Sequence, residues 1–255
     1  MSAFNRFIQV LPTKPRKVAR RLLARLQGRG IVHLLHIGKT GGTAVKHALS
    51  LHLDLPCWAV FLSGHSVTLK SVPPGEKVIF FTRDPIKRFV SAFFSRQRQG
   101  LPRHHLPWTE EEAAFFKEFE TPSQLGEGLS SSDNAARVRA QAAMKSIRHI
   151  RSSYWEWFGD EGYFASRTAD ILFVGRQETL SQDFEHLKTI LELPASLSLP
   201  TDEVQAHRNP TNLNKKLSET AVANLQEWYA RDYEFLALCQ KYYCAERLAE
   251  TMANT

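Results

Sequence analysis

The stretch IVHLLHIGKTGGTAV, residues 31–45, joins a run of apolar residues to a turn that is rich in glycine. The run 31–37 predicts a buried strand bounded by Gly30 and Gly38. The apolar spacing of 43–53 predicts a helix directly after the turn. A glycine-rich turn between a strand and a helix favours anions, because backbone N–H groups and the positive end of the helix dipole point outward. The stretch therefore predicts an anion site at the end of a strand.

The residues of the turn, GKTGGT at 38–43, indicate how it would hold an anion. Paired glycines allow backbone conformations that other residues avoid, the threonines add hydroxyl donors, and the lysine adds a mobile positive charge. The spacing differs from the GxxxxGK[ST] loop of nucleotide triphosphatases. The turn therefore predicts a P-loop-like cradle and leaves the identity of its anion open. The predicted cradle consists of Lys39, Thr40, Gly41, Gly42 and Thr43.

Further apolar runs place this strand in a larger sheet. Strands are predicted over 57–62, 77–83 and 169–175. Short apolar strands that alternate with helices indicate a three-layer α/β fold, in which helices cover both faces of a mostly parallel sheet. The segment from about 100 to 168 breaks this alternation. It is predicted to be a helical insertion over the active edge of the sheet, with a polar loop at 125–133 and one helix from about 133 to 157.

A second motif, TRDPIKRFVSAFFS at 82–95, begins where the third strand ends. Arg83 lies at the strand end, and Arg88 and Ser91 are three residues apart on one face of the following helix. Guanidinium and hydroxyl groups in this arrangement suit a phosphate. In a parallel sheet this motif faces the same edge as the glycine-rich turn. The sequence thus predicts two anion sites at one edge.

Together the two motifs resemble the 5′-phosphosulfate loop and the 3′-phosphate motif of sulfotransferases that use 3′-phosphoadenosine 5′-phosphosulfate (PAPS). The family pattern Arg-x-Pro-x-x-Arg-x-x-Ser is matched by Arg83, Pro85, Arg88 and Ser91. The KTGGT form of the loop resembles the carbohydrate-modifying branch, which includes heparan and chondroitin sulfotransferases. Stretches at 174–191, 207–212 and 217–236 are similar to bacterial members of that branch. One position departs from the family, because Gly38 stands where relatives usually have proline.

The resemblance implies a sulfotransferase that moves a sulfuryl group from PAPS to a hydroxyl of a saccharide, or of another small or lipid-linked acceptor, without a metal ion. It implies that Lys39 stabilises the leaving phosphate and that the second motif binds the 3′-phosphate. In relatives a late loop closes over the nucleotide, which here indicates Arg208 and Asn209. An ordinary surface turn explains these two residues equally well.

The acceptor hydroxyl needs a general base, which contributes about 10²–10⁴-fold to a rate. His65 follows the second predicted strand within three residues, so a parallel sheet places it at the edge where ligands bind. In the resembled family a histidine or glutamate near this place often serves as the base. We therefore predict that His65 is the base, with His36, directly before the loop, as the weaker alternative.

The positive charge of the chain is concentrated in residues 1–30. They hold eight of the 33 basic residues and no acidic residue, and the other 25 basic residues nearly balance the 26 acidic ones. A nearly neutral body argues against nucleic acid as a partner. We predict a basic arm at 1–30 before a sulfotransferase domain at 31–255. The amphipathic stretch 16–27 leaves open a helix packed on the body, a peripheral membrane contact, or a contact with an anionic polymer.

Two other functions remain open at the level of sequence. An ATP-dependent small-molecule kinase would share the fold and the loop position, although the sequence shows neither the GK[ST] spacing nor an evident magnesium motif. A non-catalytic adaptor on a glycan or membrane surface would explain the basic arm. The sequence shows no secretory signal and no apolar run long enough to cross a bilayer. It therefore predicts a cytoplasmic location, with a peripheral membrane contact left open.

Overall fold

The structure is a computed structural model that describes residues 13–102, 104–201 and 213–242. The strands are β1 (Gly30–Leu34), β2 (Trp58–Leu62), β3 (Lys77–Thr82) and β4 (Ile171–Arg176). The helices before β4 are α1 (Thr13–Leu26), α2 (Gly42–Leu49), α3 (Pro85–Gln97), α4 (Glu110–Glu118), α5 (Pro122–Gly128), α6 (Asn134–Ser146), α7 (Trp155–Phe158) and α8 (Glu161–Ser166). The helices after β4 are α9 (Leu180–Leu191), α10 (Glu219–Trp228) and α11 (Ala230–Cys239).

The four strands form one sheet in the order β2-β1-β3-β4, and every pair in it is parallel. Val32 pairs with Val60 on one side, and Leu34 pairs with Ile79 on the other. The predicted parallel α/β sheet is therefore confirmed. Because all strands run in one direction, the turns after β1, β2, β3 and β4 meet at the carboxyl edge of the sheet. β1 ends at Leu34, three residues before the predicted end, as the chain leaves the sheet to enter the glycine-rich turn.

Helices cover both faces of the sheet, which confirms the predicted three layers. On one face Leu34 and Phe81 pack with Val45 of α2 and Leu187 of α9. On the other face Phe80 of β3 lies in a cluster with residues of α7, α8 and α11. Burying a side chain such as Phe80 contributes about 1.5–3 kcal/mol. The alternation of side chains along the strands thus supplies two cores from one sheet.

α1 packs against β1 and β2 through its basic side rather than its apolar side. Ala24 is buried against Ile31 and Phe61, and the Arg20 guanidinium lies 4.6 Å from the centre of the Phe61 ring. Glu76 is buried before β3, at the opposite end of the sheet from the turn, and pairs with Arg21, Arg25 and His33. The prediction of an amphipathic helix in residues 1–30 is confirmed for the described residues. Whether those residues form a separate unit remains a prediction.

The insertion differs from its prediction in two places. The single helix expected from about 133 to 157 is wrong, since α6 ends at Ser146 and α7 begins at Trp155. The chain breaks there because Ile147 and Ile150 turn into the core formed by the helices of the insertion and α3. Tertiary packing overrides the helical spacing of the sequence.

The polar loop expected at 125–133 is also wrong in its first half. α5 covers Pro122–Gly128, and its N-cap is Thr121, whose hydroxyl accepts a hydrogen bond from the Gln124 amide. Thr121 and Gln124 form a capping box, which is a start signal for a helix. Of the helices in the described part of the chain, none is long and apolar enough to cross a membrane.

Candidate active site

The glycine-rich turn lies at the carboxyl end of β1 and forms one wall of a cavity of about 1100 Å³. Gly41 is the N-cap of α2 and has a φ of 84°, a left-handed conformation that favours glycine. Lys39 also has a positive φ, of 69°, which turns the chain back over the end of the strand. The cradle residues that line the cavity are Lys39, Gly41, Gly42 and Thr43.

Thr40 is the member of the predicted cradle that the structure does not place in the cavity wall. Its side chain is buried, and its hydroxyl donates a hydrogen bond to the Ile37 carbonyl at 3.1 Å. This bond closes the turn on itself. Thr40 therefore holds the shape of the loop rather than offering its hydroxyl to a ligand.

The ammonium group of Lys39 lies near two other positively charged side chains. Burial, and to a smaller degree the nearby Arg83 and Arg98, lower the pKa of Lys39 to about 7. A half-buried ammonium group beside positively charged guanidinium groups gains from an anion. The charge pattern around Lys39 thus favours an anionic ligand in the cavity.

Arg83 and Ser91 of the second motif line the same cavity as the turn. The Arg83 Nη1 group donates to the Lys39 carbonyl at 3.2 Å, so the two predicted anion-binding motifs are in direct contact. The Arg83 Nε group is buried and has no hydrogen-bond partner among the described residues. Burial also lowers the pKa of Arg83. A buried guanidinium donor without a partner points to a ligand acceptor.

Arg88 is not brought together with these groups. It lies beneath the turn, where its side chain donates to the Gly38 carbonyl and to the Ser152 carbonyl and forms an ion pair with buried Asp232 at 3.1 Å. The geometry therefore does not support the predicted contact of Arg88 with a phosphate. Its donors instead tie the turn to the insertion and to α11.

His65 lies directly after β2 and lines the cavity, as its position in the sequence predicts. Its Nδ1 is 3.0 Å from the His36 carbonyl, and because a carbonyl only accepts, Nδ1 carries the proton. The Nε2 atom therefore keeps its lone pair. Burial, and secondarily the charges of Arg148, Lys46 and Lys39, lower the pKa of His65 despite the opposing bond to His36. The imidazole is thus neutral at neutral pH and has a basic nitrogen available.

His36 stacks on His65 with ring centres 3.9 Å apart. Its Nε2 lies 3.3 Å from the Thr43 hydroxyl. These contacts place His36 between the loop and His65, where it orients both.

His149 is a site residue that the sequence did not reveal. It lies after α6 with a left-handed φ of 68°, and its ring centre is 5.7 Å from that of His65. Burial, followed by the charges of Lys39 and other neighbours, lowers the pKa of His149 to about 2. A Cβ atom on Gly38 would lie 2.7 Å from His149 Nδ1. The departure of Gly38 from the family loop was therefore the signal, because only glycine leaves room for this ring.

The rest of the cavity wall consists of residues outside the two motifs. They come from the turn after β4, from the segment that follows α9, and from the segment that precedes α10. They include Gln177, Glu178, Thr179, Leu180, Leu199, Pro200, Thr201, Lys215 and Leu217. The predicted nucleotide contacts Arg208 and Asn209 lie outside the described residues.

A smaller cavity of about 340 Å³ adjoins the first, and His65 and His149 line both cavities. Its other lining residues are Ser66, Thr68, Arg148, Arg151, Ser152, Glu156 and Trp157. The Trp157 indole donates to the His65 carbonyl at 2.9 Å and fixes the backbone of the histidine. Across residues 13–102, 104–201 and 213–242, no group of three or more His, Cys, Asp or Glu side chains is arranged to hold a metal ion.

A parallel α/β sheet with a glycine-rich turn and a buried guanidinium in one cavity defines a protein that binds anionic ligands at the carboxyl edge of its strands. Residues 31–238 match the model of the sulfotransferase family, and the chain belongs to that family. It is therefore a transferase of sulfuryl groups. A sequence search among curated proteins finds no match.

Proposed function

We propose that the chain transfers the sulfuryl group of PAPS to a hydroxyl of a saccharide, or of another small or lipid-linked acceptor. The observation that carries this proposal is that Lys39, Arg83 and His65 line one cavity. The cavity of about 1100 Å³ is large enough for a nucleotide. The turn at Lys39 would hold the 5′-phosphosulfate, and Arg83 with Ser91 would hold the 3′-phosphate.

In the proposed reaction one residue accepts the hydroxyl proton and another stabilises the charge on the leaving group. The acceptor oxygen forms a bond to sulfur while the bond between sulfur and the 5′-phosphate oxygen breaks. His65 Nε2 takes the hydroxyl proton, which its lone pair allows. Lys39 compensates the charge that develops on the released phosphate oxygen. The low pKa of His149 makes this neighbouring ring a poor proton acceptor, so it does not compete with His65 for the hydroxyl proton.

Nucleotide preference tests the proposal directly. We expect 3′-phosphoadenosine 5′-phosphate, the desulfated product, to raise the melting temperature clearly more than ATP with magnesium does. Equal shifts from the two nucleotides would contradict the proposal and favour an ATP-dependent kinase. Detectable ATP hydrolysis would also favour an ATP-dependent kinase over the proposed sulfotransferase.

Two substitutions test the assigned roles with radiolabelled PAPS and a panel of hydroxyl acceptors. His65→Ala should lower turnover by about 10²–10⁴-fold while nucleotide binding is kept. Lys39→Ala should lower turnover by about 10²–10³-fold and also weaken nucleotide binding. Matched controls are His47→Ala, an exposed histidine of α2, and Lys117→Ala, an exposed lysine of α4, which should change neither. Full activity of His65→Ala would remove His65 from the mechanism.

We also propose that α1 contacts an anionic lipid surface. Val18, Leu22 and Leu26 are spaced four residues apart and are 66%, 58% and 76% exposed. Arg16 and Lys17 are exposed on the same helix, and residues 1–30 carry no acidic side chain. An exposed apolar stripe beside basic residues suits the interface of an anionic bilayer. A non-catalytic adaptor would use this surface too, and turnover separates the two functions.

A further inference from the structure

The smaller cavity is a second space that borders the proposed reaction centre. His65 and His149 line both cavities, and the remaining wall of the smaller one comes mainly from 148–157 in the insertion. An in-line transfer needs its two substrates on opposite sides of the transferred group. The smaller cavity adjoins His65 and has a wall of its own, so it offers an acceptor hydroxyl a space beside the proposed base that the nucleotide does not fill.

Two arginines of this cavity differ from most other arginines in the part of the chain that the structure describes. Arg148, Arg151 and Arg139 are all exposed. Among the described residues, neither the Arg148 nor the Arg151 side chain forms an ion pair, whereas Arg139 pairs with Glu118 at 2.7 Å. One carboxylate, Glu156, lines the same cavity, and it accepts a hydrogen bond from the Ser153 amide at 3.3 Å. The lining of the cavity therefore carries a net positive charge.

The charge of Arg148 acts on the proposed reaction centre. It contributes, after burial, to the lowered pKa of His65 and of His149. Its guanidinium group is therefore close enough for an anion bound to it to act on both imidazoles.

We propose that the smaller cavity receives the acceptor, and that Arg148 and Arg151 select an acceptor that carries an anionic group besides its hydroxyl. The inference rests on the proposed function and adds the charge of the acceptor to it. A carboxylate, a sulfate or a phosphate shares the chemistry that a guanidinium group recognises, with charge-assisted and bidentate hydrogen bonds. The anionic group would lie at the arginines and the hydroxyl at His65 Nε2.

Such an acceptor also assists the base. An anion at Arg148 offsets the positive charge that disfavours protonation of His65. The imidazole therefore becomes more basic when the acceptor is bound. A neutral acceptor leaves the basicity of His65 unchanged by this effect.

Matched sugars and matched variants test the inference by turnover. The sugars are methyl β-glucuronide, methyl β-glucoside 6-sulfate and neutral methyl β-glucoside, with radiolabelled PAPS as donor. We expect a higher kcat/KM for one or both charged sugars, and a loss of about tenfold for them in Arg148→Gln or Arg151→Gln. Arg139→Gln removes the same charge away from both cavities and should change nothing. Glu156→Gln should instead lower the KM of the charged sugars.

Calorimetry on the protein loaded with 3′-phosphoadenosine 5′-phosphate gives a readout that does not need turnover. The charged sugars should bind more tightly than the neutral one, and the difference should shrink in Arg148→Gln. The carboxylate and sulfate sugars together show which anionic group fits. Equal affinity for charged and neutral sugars, no binding of any of them, or a preference that survives in both arginine variants would overturn the inference. Failure of the proposed function is distinct, since it would appear as absent nucleotide binding.

Discussion

Lys39 is a half-buried residue beside the positively charged Arg83 and Arg98, and this has a measurable consequence. The pKa of Lys39 is about 7 without a ligand, so at pH 8 most of its side chains are neutral. A bound anion favours the charged form and raises this pKa. Binding above pH 7 must therefore take up a proton, and nucleotide affinity must fall as the pH rises.

Calorimetry of 3′-phosphoadenosine 5′-phosphate in buffers of different ionisation enthalpy checks this prediction. At pH 8 the phosphates of the ligand are ionised, because their second pKa is about 6. We expect the protein to take up close to one proton per ligand, and Lys39→Met to remove that uptake. Lys117→Met serves as the control. The same uptake in the parent and in Lys39→Met would show that another group titrates.

At the scale of residues, the sequence predicted the parts of the site that follow strand ends. Lys39, Arg83 and His65 lie in the turns that follow three different strands, and a parallel sheet brings such turns together. The position of Arg88 does not follow from this rule on strand ends. A residue on that face of the helix can contact either a ligand or a buried partner. The partner of Arg88, Asp232, lies in α11, and only the folded chain brings the two together. His149 was missed because α6 ends earlier than its sequence indicates.

At the scale of elements, the turn before α2 and the segment after α6 fit each other through one glycine. A methyl group on Gly38 would approach His149 Nδ1 to 2.7 Å, which is closer than such atoms can pack. We expect Gly38→Ala to displace the ring or the turn, at a cost of about 1–3 kcal/mol. The affinity for 3′-phosphoadenosine 5′-phosphate should fall about tenfold.

A double-mutant cycle shows whether the pair is coupled. Removing the ring with His149→Ala should restore most of the affinity that Gly38→Ala loses. Gly64→Ala is the matched control, because a Cβ atom there meets nothing within 4 Å. Equal losses from Gly38→Ala with and without the His149 ring would mean that the glycine serves the turn alone.

The elements themselves were predictable where apolar periodicity and packing agree. β1, β2 and β3 carry buried runs such as the one that ends in Phe80 and Phe81, and these can form only a covered strand. In the insertion, periodicity and packing disagree. Ile147 and Ile150 continue a helical pattern in the sequence, but in the structure they are buried in the core after the helix has ended. The capping box of Thr121 shows that a local signal for α5 was present in the sequence.

At the scale of the whole molecule, α1 is oriented by charge. Arg20, Arg21 and Arg25 face the body and pair with Asp54 and Glu76, while the apolar stripe of α1 faces solvent. This arrangement fixes how the molecule would sit on a membrane. The stripe of Val18, Leu22 and Leu26 would enter the interface. Removing α1 altogether would also expose Ile31 and Phe61, so point substitutions are the cleaner test.

Sedimentation with lipid vesicles tests this orientation. We expect the protein to bind vesicles that contain phosphatidylserine, with weaker binding to pure phosphatidylcholine and at high salt, because anionic lipid attracts the basic side chains. Leu22→Glu should lower the partition by about tenfold, since it removes buried apolar area and adds a repelled charge. Leu51→Glu is the control, because Leu51 is 89% exposed and lies beyond α2. If both variants bind alike, α1 does not dock on lipid, and dimerisation that Leu22→Glu abolishes would assign the stripe to a second copy of the chain.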